Sequence, residues 1–265
     1  MFSAINPWIL TAVVLILLAA AIIGAVVMYF RRSPYTVAQA SLLALSGLFT
    51  RFLWRSQVVG TFSIPQEQGV VIVSNHRCPF DPAFIALGVN RVMRWMVAKE
   101  YCEHPLMGPF LRPFGPVPTS RAGHDTAATK MIIRYAQEGD IVGLFPEGRI
   151  NETDQFMLPG RPGVAMIALK ARVPVVPCYI EGAPYNPRYI LGCMLMPARV
   201  RVIFGPPIDL SPYYGRENER EVLEEITKRL LSELARLAGR EDFEPKIAGR
   251  FYMRDDDTNS RSGSA

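Results

Sequence analysis

The sequence has few histidines and cysteines, and this scarcity excludes several kinds of site. It contains three histidines, His76, His104 and His124, and none belongs to an H-E-x-x-H motif. Its four cysteines show no C-x-x-C spacing, so a metal site of the zinc type is not expected. Four cysteines allow three disulfide pairings, but nothing else indicates a small secreted scaffold. The composition therefore predicts reduced thiols in a domain that faces the cytosol.

Other signature motifs are missing as well. The absence of G-x-S-x-G disfavours a serine hydrolase, and neither a P-loop nor a dinucleotide-binding fingerprint occurs. The excess of basic residues is small, 29 against 24 acidic residues, for a net charge of +5. That balance does not argue for a nucleic-acid partner. It suits an anionic membrane surface or a phosphorylated substrate.

The composition is that of a folded and rather apolar protein. Hydrophobic residues make up 49% of the 265 residues and charged residues 20%, with a mean hydropathy of +0.14. This excludes a disordered chain. The length allows one domain of about 200–230 residues with an appendage, or two small domains.

The clearest single feature is an uncharged run near the N-terminus, from Trp8 to Phe30. As a helix it would be roughly 35 Å long, enough to cross a hydrocarbon core of about 30 Å. A cleaved signal peptide would have basic residues before the run, and this chain has none there. Arg31 and Arg32 follow the run and predict a cytoplasmic C-terminal side. We therefore expect residues 1–32 to form a single-pass transmembrane anchor, with the following domain in the cytoplasm.

A second helical stretch, Tyr35–Arg55, follows within a segment that we assign to residues 33–57. One face carries apolar residues at spacings of three and four: Ala38, Leu42, Leu45, Phe49 and Phe52. We favour an amphipathic helix that lies in the membrane interface. A core-packing helix and a second membrane span are the alternatives.

From residue 58 to residue 239 the pattern becomes α/β. Apolar, β-rich runs occur at 70–74, 92–98, 141–145, 173–180 and 200–204, and helical patterns at 82–88, 126–138, 163–171 and 216–237. This alternation predicts a mostly parallel central sheet flanked by helices. Residues 240–265 form a polar tail, which we expect to be partly disordered.

The first candidate site lies in the segment from Val71 to Asp81. A buried strand ends there, His76 follows in a loop, and Asp81-Pro82 is typical of a helix N-cap followed by proline at N1. A neutral His76 imidazole could take a proton from a hydroxyl, while the Asp81 carboxylate fixes its tautomer and stabilises the cation. The alternative is a capping Asp beside a hydrogen-bonded loop His.

Two further blocks hold residues suited to an anionic substrate. Gly115–Arg121 precedes a helix, and Phe145-Pro146-Glu147-Gly148-Arg149 ends a strand. Arg121 and Arg149 could form two-point contacts to a phosphate. Glu147 could hold acceptor hydroxyls or position Arg149, and Gly148 permits a positive φ or a close backbone approach. Surface salt bridges and an ordinary turn are the alternatives.

A fourth block, Val173–Pro177, places Pro174 and Pro177 within an apolar strand. Two prolines suggest an edge strand or an irregular strand that lines an acyl pocket. The alternative is a purely structural role.

With these four blocks in this order, the chain resembles the glycerolipid acyltransferase family, in particular the bacterial 1-acyl-glycerol-3-phosphate acyltransferases, over about residues 58–208. Cys78 stands where the family commonly has Ser, and Pro118 where it often has Phe. Arg149 directly follows Gly148, where a Thr usually intervenes. This shorter form also resembles the acyltransferase half of enzymes that reacylate lysophosphatidylethanolamine.

The resemblance implies a membrane-anchored acyltransferase with residues 58–239 as its catalytic domain. It would move a fatty acyl group from acyl-CoA or acyl carrier protein to 1-acyl-glycerol-3-phosphate, giving phosphatidic acid, with His76 as general base and neither metal nor cofactor. Lysophosphatidylethanolamine or another lyso-lipid is the alternative acceptor. A non-catalytic lipid-binding protein and an acyl-Cys78 intermediate are further alternatives.

Overall fold

The structure is a computed structural model that describes residues 6–33, 35–89, 91–120, 125–185, 192–193 and 196–249. The helices are α1 (Pro7–Arg32), α2 (Val37–Phe52), α3 (Asp81–Ala86), α4 (Lys99–Glu103), α5 (Gly108–Leu111), α6 (Thr126–Gln137), α7 (Gly163–Ala171) and α8 (Arg220–Leu237). The strands are β1 (Gln57–Val59), β2 (Val70–Ser74), β3 (Met93–Ala98), β4 (Val117–Thr119), β5 (Ile141–Leu144), β6 (Val175–Glu181) and β7 (Arg201–Phe204).

The strands in the described part of the chain form one sheet in the order β1-β7-β6-β2-β5-β3-β4. Strands β2 to β6 run parallel to one another, whereas β7 is antiparallel to β6 and parallel to β1. The mostly parallel α/β fold predicted from the sequence is confirmed. As a result, β2 to β6 all end at the same edge of the sheet, which we call the carboxyl edge.

Helices cover the sheet on both faces because its central strand is apolar on both sides. Successive side chains of a strand point to opposite faces, and β2 is buried along its whole length. Val71 and Val73 pack into a core that includes residues of α6, α7 and α8. Val70 and Ile72 pack into a second core with Phe84 of α3. Burial on both faces holds β2, and the loop that follows it, in the middle of the domain.

Helix α1 stands apart from these cores. It has a mean hydropathy of 3.0 over its most apolar 18-residue window, and none of that window is buried. In the described part of the chain it is the one helix long and apolar enough to cross a membrane. The Asn6 side chain accepts the Trp8 N–H and caps its first turn. The anchor predicted at residues 1–32 therefore coincides with an exposed apolar helix.

Helix α2 instead lies against the domain. Ala40, Gly47 and Thr50 are buried, and α2 packs against α3. Its exposed side carries Leu45, Phe49 and Phe52 of the predicted apolar face, together with Leu48. Its 16 residues extend only about 24 Å, short of a hydrocarbon core of about 30 Å. Its length therefore argues against a second membrane span. That α2 lies in the membrane interface stays a prediction.

The structure places the two prolines of the fourth block differently from the edge strand predicted. β6 is an interior strand that pairs with β2 and β7. Pro174 precedes β6, at the end away from the carboxyl edge, and its carbonyl accepts the Val71 N–H. The Pro177 carbonyl accepts the Gly205 N–H, where β7 has just ended. Both residues still contribute a carbonyl to the sheet, and the predicted acyl-pocket or structural role of Pro174 and Pro177 stays a prediction.

Candidate functional site

His76 and Asp81 come together in the loop between β2 and α3. His76 Nδ1 lies 2.9 Å from Asp81 Oδ2, and the same oxygen accepts the backbone N–H groups of Arg77 (2.7 Å) and Cys78 (2.9 Å). Asp81 is fully buried, whereas the His76 side chain is 16% exposed. An Nδ1–H that donates to Asp81 leaves Nε2 as the basic nitrogen. The pair thus has the arrangement of a general base with an orienting carboxylate.

The local helix boundary differs by one residue from the predicted N-cap. Asp81 is the first residue of α3, Phe80 is its N-cap, and Pro82 follows within the first turn. The Asp81 carboxylate turns back to the loop N–H groups of Arg77 and Cys78 and not to those of the helix. Asp81 therefore organises the His76 loop directly.

Asn75 holds the start of this loop against β6. Its Nδ2 donates to the Ile180 carbonyl (2.9 Å), and its Oδ1 accepts the Ile180 N–H (2.7 Å). This two-point contact continues the β2–β6 pairing one residue beyond Ser74. Asn75 directly precedes His76 in the sequence, and its buried amide fixes where the His76 backbone leaves the sheet.

Glu147 follows β5 at the same edge, and its buried carboxyl group joins two loops, an arrangement that we call the Glu147 clasp. Its Oε1 accepts the His76 N–H and its Oε2 accepts the Leu158 N–H, both at 2.8 Å. It is 1% exposed. Burial raises the pKa of Glu147 to about 7, although the two N–H groups and His76 act in the opposite direction. Each oxygen accepts a backbone N–H, so Glu147 joins two loops, and its predicted roles toward acceptor hydroxyls or Arg149 stay predictions.

The His76 backbone is held from both sides. The His76 N–H donates to Glu147, and the His76 carbonyl accepts the Asn151 N–H at 2.7 Å. The Asn151 side chain, fully buried, donates to the Gln155 carbonyl and accepts from Thr153. Asn151 comes two residues after the third sequence block, which ended at Arg149 in our prediction. The sequence prediction missed Asn151, and the signal that could have found it is a polar residue so close after the block.

Gly148 has the positive φ that the sequence suggested, at +69°. An added Cβ would also lie 2.6 Å from the Arg161 Cδ. A residue other than glycine is therefore disfavoured at position 148, both by the positive φ and by the clash of its Cβ with Arg161. The Arg161 N–H donates to the Pro146 carbonyl at 2.8 Å, and the Arg161 side chain lies against Gly148, the residue before half-buried Arg149. Arg161 was missed because it lies far from the block along the chain.

Arg121, the other predicted phosphate ligand, lies outside the described residues. The strand before it, β4, ends at Thr119, at the carboxyl edge. β4 lies three strand positions from β2 in the sheet order, or roughly 14 Å at about 4.8 Å per strand. The predicted role of Arg121 stays a prediction.

Cys78 is poorly placed to act as a nucleophile. It is fully buried, and its thiol pKa is raised above the usual range, chiefly by burial and then by Asp81. The thiolate is the reactive form of cysteine. The site therefore favours direct transfer over an acyl-cysteine intermediate.

No cluster of three or more His, Cys, Asp or Glu side chains in the described ranges could hold a metal ion. The candidate groups for contact with a substrate are the His76 imidazole and the guanidinium groups of Arg149 and Arg161 near Gly148. Together they offer a base and a cationic surface at one edge of the sheet.

Comparisons with known proteins find similarity to acyltransferases. The acyltransferase family model matches residues 55–181. An uncharacterised protein of Mycobacterium leprae (strain TN) is 25% identical over 240 residues, and the match covers 69% of this chain and 63% of that protein. The chain thus spans less than two thirds of the length of this relative. The 1-acyl-sn-glycerol-3-phosphate acyltransferase of Bacillus subtilis (strain 168) is 24% identical, over 63% of this chain and 82% of that enzyme.

A solved structure shows the same fold. The crystal structure of the 1-acyl-sn-glycerophosphate acyltransferase PlsC from Thermotoga maritima aligns with a TM-score of 0.56 at 24% identity, covering 74% of this chain and 79% of that one. The matched range 55–181 contains the His76–Asp81 pair, the Glu147 clasp and Arg149. The acyltransferase family model and these relatives therefore support an acyltransferase domain over residues 55–181, similar to the glycerolipid acyltransferases.

Proposed function

We propose that this protein acylates the free hydroxyl of 1-acyl-glycerol-3-phosphate with a fatty acyl group from a thioester, giving phosphatidic acid for phospholipid synthesis. The observation that carries the proposal is the His76–Asp81 pair, with Nδ1 and Oδ2 2.9 Å apart at the carboxyl edge of an acyltransferase domain. In open α/β sheets, ligands bind at this edge. Conversion of a lyso-lipid by the wild-type protein, and its loss in His76→Gln, is the first test.

The chemistry follows from the orientation of the imidazole. His76 Nε2 takes the proton of the acceptor hydroxyl as the hydroxyl oxygen attacks the thioester carbonyl carbon. The tetrahedral intermediate collapses, the carbon–sulfur bond breaks, and the imidazolium returns the proton to the leaving thiolate. Asp81 stabilises the imidazolium between these steps. No covalent enzyme intermediate is needed, in keeping with the burial of Cys78.

The acceptor's phosphate would bind near Gly148, Arg149 and Arg161. Arginine suits a phosphate because its planar fork makes two parallel hydrogen bonds. The similarity to the Bacillus subtilis 1-acyl-sn-glycerol-3-phosphate acyltransferase supports this acceptor class. The direct Gly148-Arg149 sequence favours lysophosphatidylethanolamine as the second candidate acceptor, since it gives the loop the shorter form noted above.

For the donor we propose acyl-CoA or the acylated form of acyl carrier protein as a co-substrate, without a bound cofactor. The net charge of +5 favours association with either anionic donor. Comparing the two thioesters at equal acyl length, with the same acceptor, identifies the donor.

We further propose that α1 anchors the catalytic domain, residues 58–239, to the cytoplasmic side of a membrane. The support is the exposure and apolarity of α1 and the basic Arg31-Arg32 pair after it. Protease added to sealed, right-side-out cells should leave the domain intact and digest it after permeabilisation. Digestion in sealed cells would overturn the orientation.

The acceptor is assigned by a panel assay on the purified full chain in detergent micelles. The panel contains 1-acyl-glycerol-3-phosphate, lysophosphatidylethanolamine, lysophosphatidylcholine and lysophosphatidylglycerol. Each is assayed with acyl-CoA and with acylated acyl carrier protein, both radiolabelled in the acyl chain. We expect the highest kcat/KM for 1-acyl-glycerol-3-phosphate. A higher value for lysophosphatidylethanolamine would select the second candidate, and binding without transfer to any acceptor would indicate a lipid-binding protein.

A further inference from the structure

Three aromatic rings lie one upon another at the carboxyl edge, and the imidazole of His76 is the outermost. The His76 and Phe145 rings are parallel within 6°, with their centroids 3.8 Å apart. On its other face Phe145 meets the Trp95 ring, at 4.8 Å and 20°. We call His76, Phe145 and Trp95 the ring stack. One face of the imidazole is therefore covered by a flat, apolar neighbour.

The ring stack is built by three adjacent strands. His76 follows β2, Phe145 is the first residue after β5, and Trp95 lies in β3, opposite Gly143 in the register of β3 with β5. A Cβ on Gly143 would lie 2.3 to 2.5 Å from three atoms of the Trp95 ring. Gly143 thus leaves room for Trp95 to lie flat over β5. Trp95 is 8% exposed, which gives Phe145 a fixed support.

A hydrogen bond to Asp81 does not by itself fix the imidazole. The bond at Nδ1 holds one ring atom, and the ring can still rotate about its own side-chain bonds. A parallel ring at 3.8 Å blocks this rotation on one side because the van der Waals surfaces are already in contact. The ring face of Phe145 is also electron-rich and attracts a cation above it.

We propose that Phe145 and Trp95 are positioning residues for acyl transfer: they fix the plane of the His76 imidazole, so that Nε2 meets the acceptor hydroxyl, and favour the imidazolium that forms as the proton is taken. This inference rests on the proposed function. The Asp81 carboxylate contacts the imidazole and Glu147 accepts the His76 backbone N–H, and both residues are kept when only Phe145 or Trp95 is changed.

Kinetics of Phe145 variants separate the aromatic ring from its volume. Phe145→Leu keeps an apolar side chain but removes the ring, and we expect kcat to fall about fivefold to tenfold, with KM for acceptor and donor unchanged. Phe145→Tyr keeps the ring and should retain most of kcat. Trp95→Phe should likewise retain more of kcat than Trp95→Leu. If Phe145→Leu folds poorly, Phe145→Met supplies the same comparison with a more adaptable side chain.

Phe204→Leu is the matched control. Phe204 is buried in the same apolar core as Trp95, but it lies in β7, beside Phe62 and away from the ring stack. We expect it to lower the melting temperature without changing kcat. If Phe204→Leu reduces kcat as much as Phe145→Leu does, the effect comes from a loosened core and the proposal fails.

Nuclear magnetic resonance tests the ring stack without acyl transfer. The chain has three histidines, so the ring signals of His76 can be assigned by their loss in His76→Gln. Phe145 should shift these signals upfield, and Phe145→Leu should abolish the shift. Unchanged His76 signals in Phe145→Leu, wild-type kcat in that variant, or equal loss in Phe145→Tyr would each overturn the inference. A wild-type protein that transfers no acyl group would instead refute the proposed function.

Discussion

Replacing Asp81 with Asn removes the charge behind His76 and changes little else. Asp81 Oδ2 accepts three N–H groups, from His76, Arg77 and Cys78, whereas Oδ1 is buried and accepts no hydrogen bond from the described residues. An Asn side chain can therefore place its oxygen at the Oδ2 position and keep all three bonds. The variant isolates the electrostatic contribution of the carboxylate.

The size of that contribution follows from the distance. Nδ1 and Oδ2 are 2.9 Å apart, so the centres of the two charges are about 4 Å apart. At an effective dielectric constant of about 20, the attraction is about 4 kcal/mol. An attraction of this size corresponds to about three decades in rate. Burial of the Asp81 carboxylate costs desolvation free energy, which reduces the net electrostatic contribution. We therefore expect Asp81→Asn to lower kcat by about 10²–10³, with KM within about twofold of wild type.

The assay measures release of coenzyme A from acyl-CoA at saturating acceptor, in detergent micelles at pH 8. Asp140→Asn is the control because it removes the same charge from the Arg94–Asp140 ion pair, at the opposite edge of the sheet. Melting temperatures show that both variants are folded. A kcat for Asp81→Asn within fivefold of Asp140→Asn would refute the role of Asp81 as the orienting anion.

Three further variants test the rest of the site. The pKa of Glu147 is raised from 4.5 to about 7, so the folded protein keeps a proton that the unfolded chain loses, and stability falls as pH rises between these values. In Glu147→Gln the melting temperature should therefore change less between pH 4.5 and pH 8 than in wild type. Equal changes in both proteins would show that Glu147 does not cause the pH dependence. Arg149→Ala should raise KM for the phosphate acceptor at least tenfold and KM for the donor little, with poor rescue by Lys; equal changes in both KM values would count against phosphate binding. Cys78→Ser should keep kcat within about threefold, whereas an inactive, folded variant together with a trapped acyl-cysteine in the wild type would restore the covalent route.

The sequence alone determined the features that depend on neighbouring residues. The apolar run of α1, the alternation of strands and helices, and the pairing of His76 with Asp81 are all local. His76 and Asp81 lie in one loop, so their contact requires only that β2 end and α3 begin where they do. The four blocks also carried enough of the pattern to indicate the family. The sheet order did not follow from the sequence, because pairing between strands depends on contacts far apart along the chain.

The tertiary structure decided what the residues around His76 do. Glu147 was predicted to hold acceptor hydroxyls or to position Arg149, and the structure adds that its oxygens accept the backbone N–H groups of His76 and Leu158. Phe145 is far from His76 in sequence and reaches it, with Trp95 stacked against Phe145, because β5 lies between β2 and β3. Local pattern determines which residues a strand presents at its end. The order of strands in the sheet determines which strand ends lie side by side. Because β5 is next to β2, the residues that follow β5, Phe145 and Glu147, contact His76.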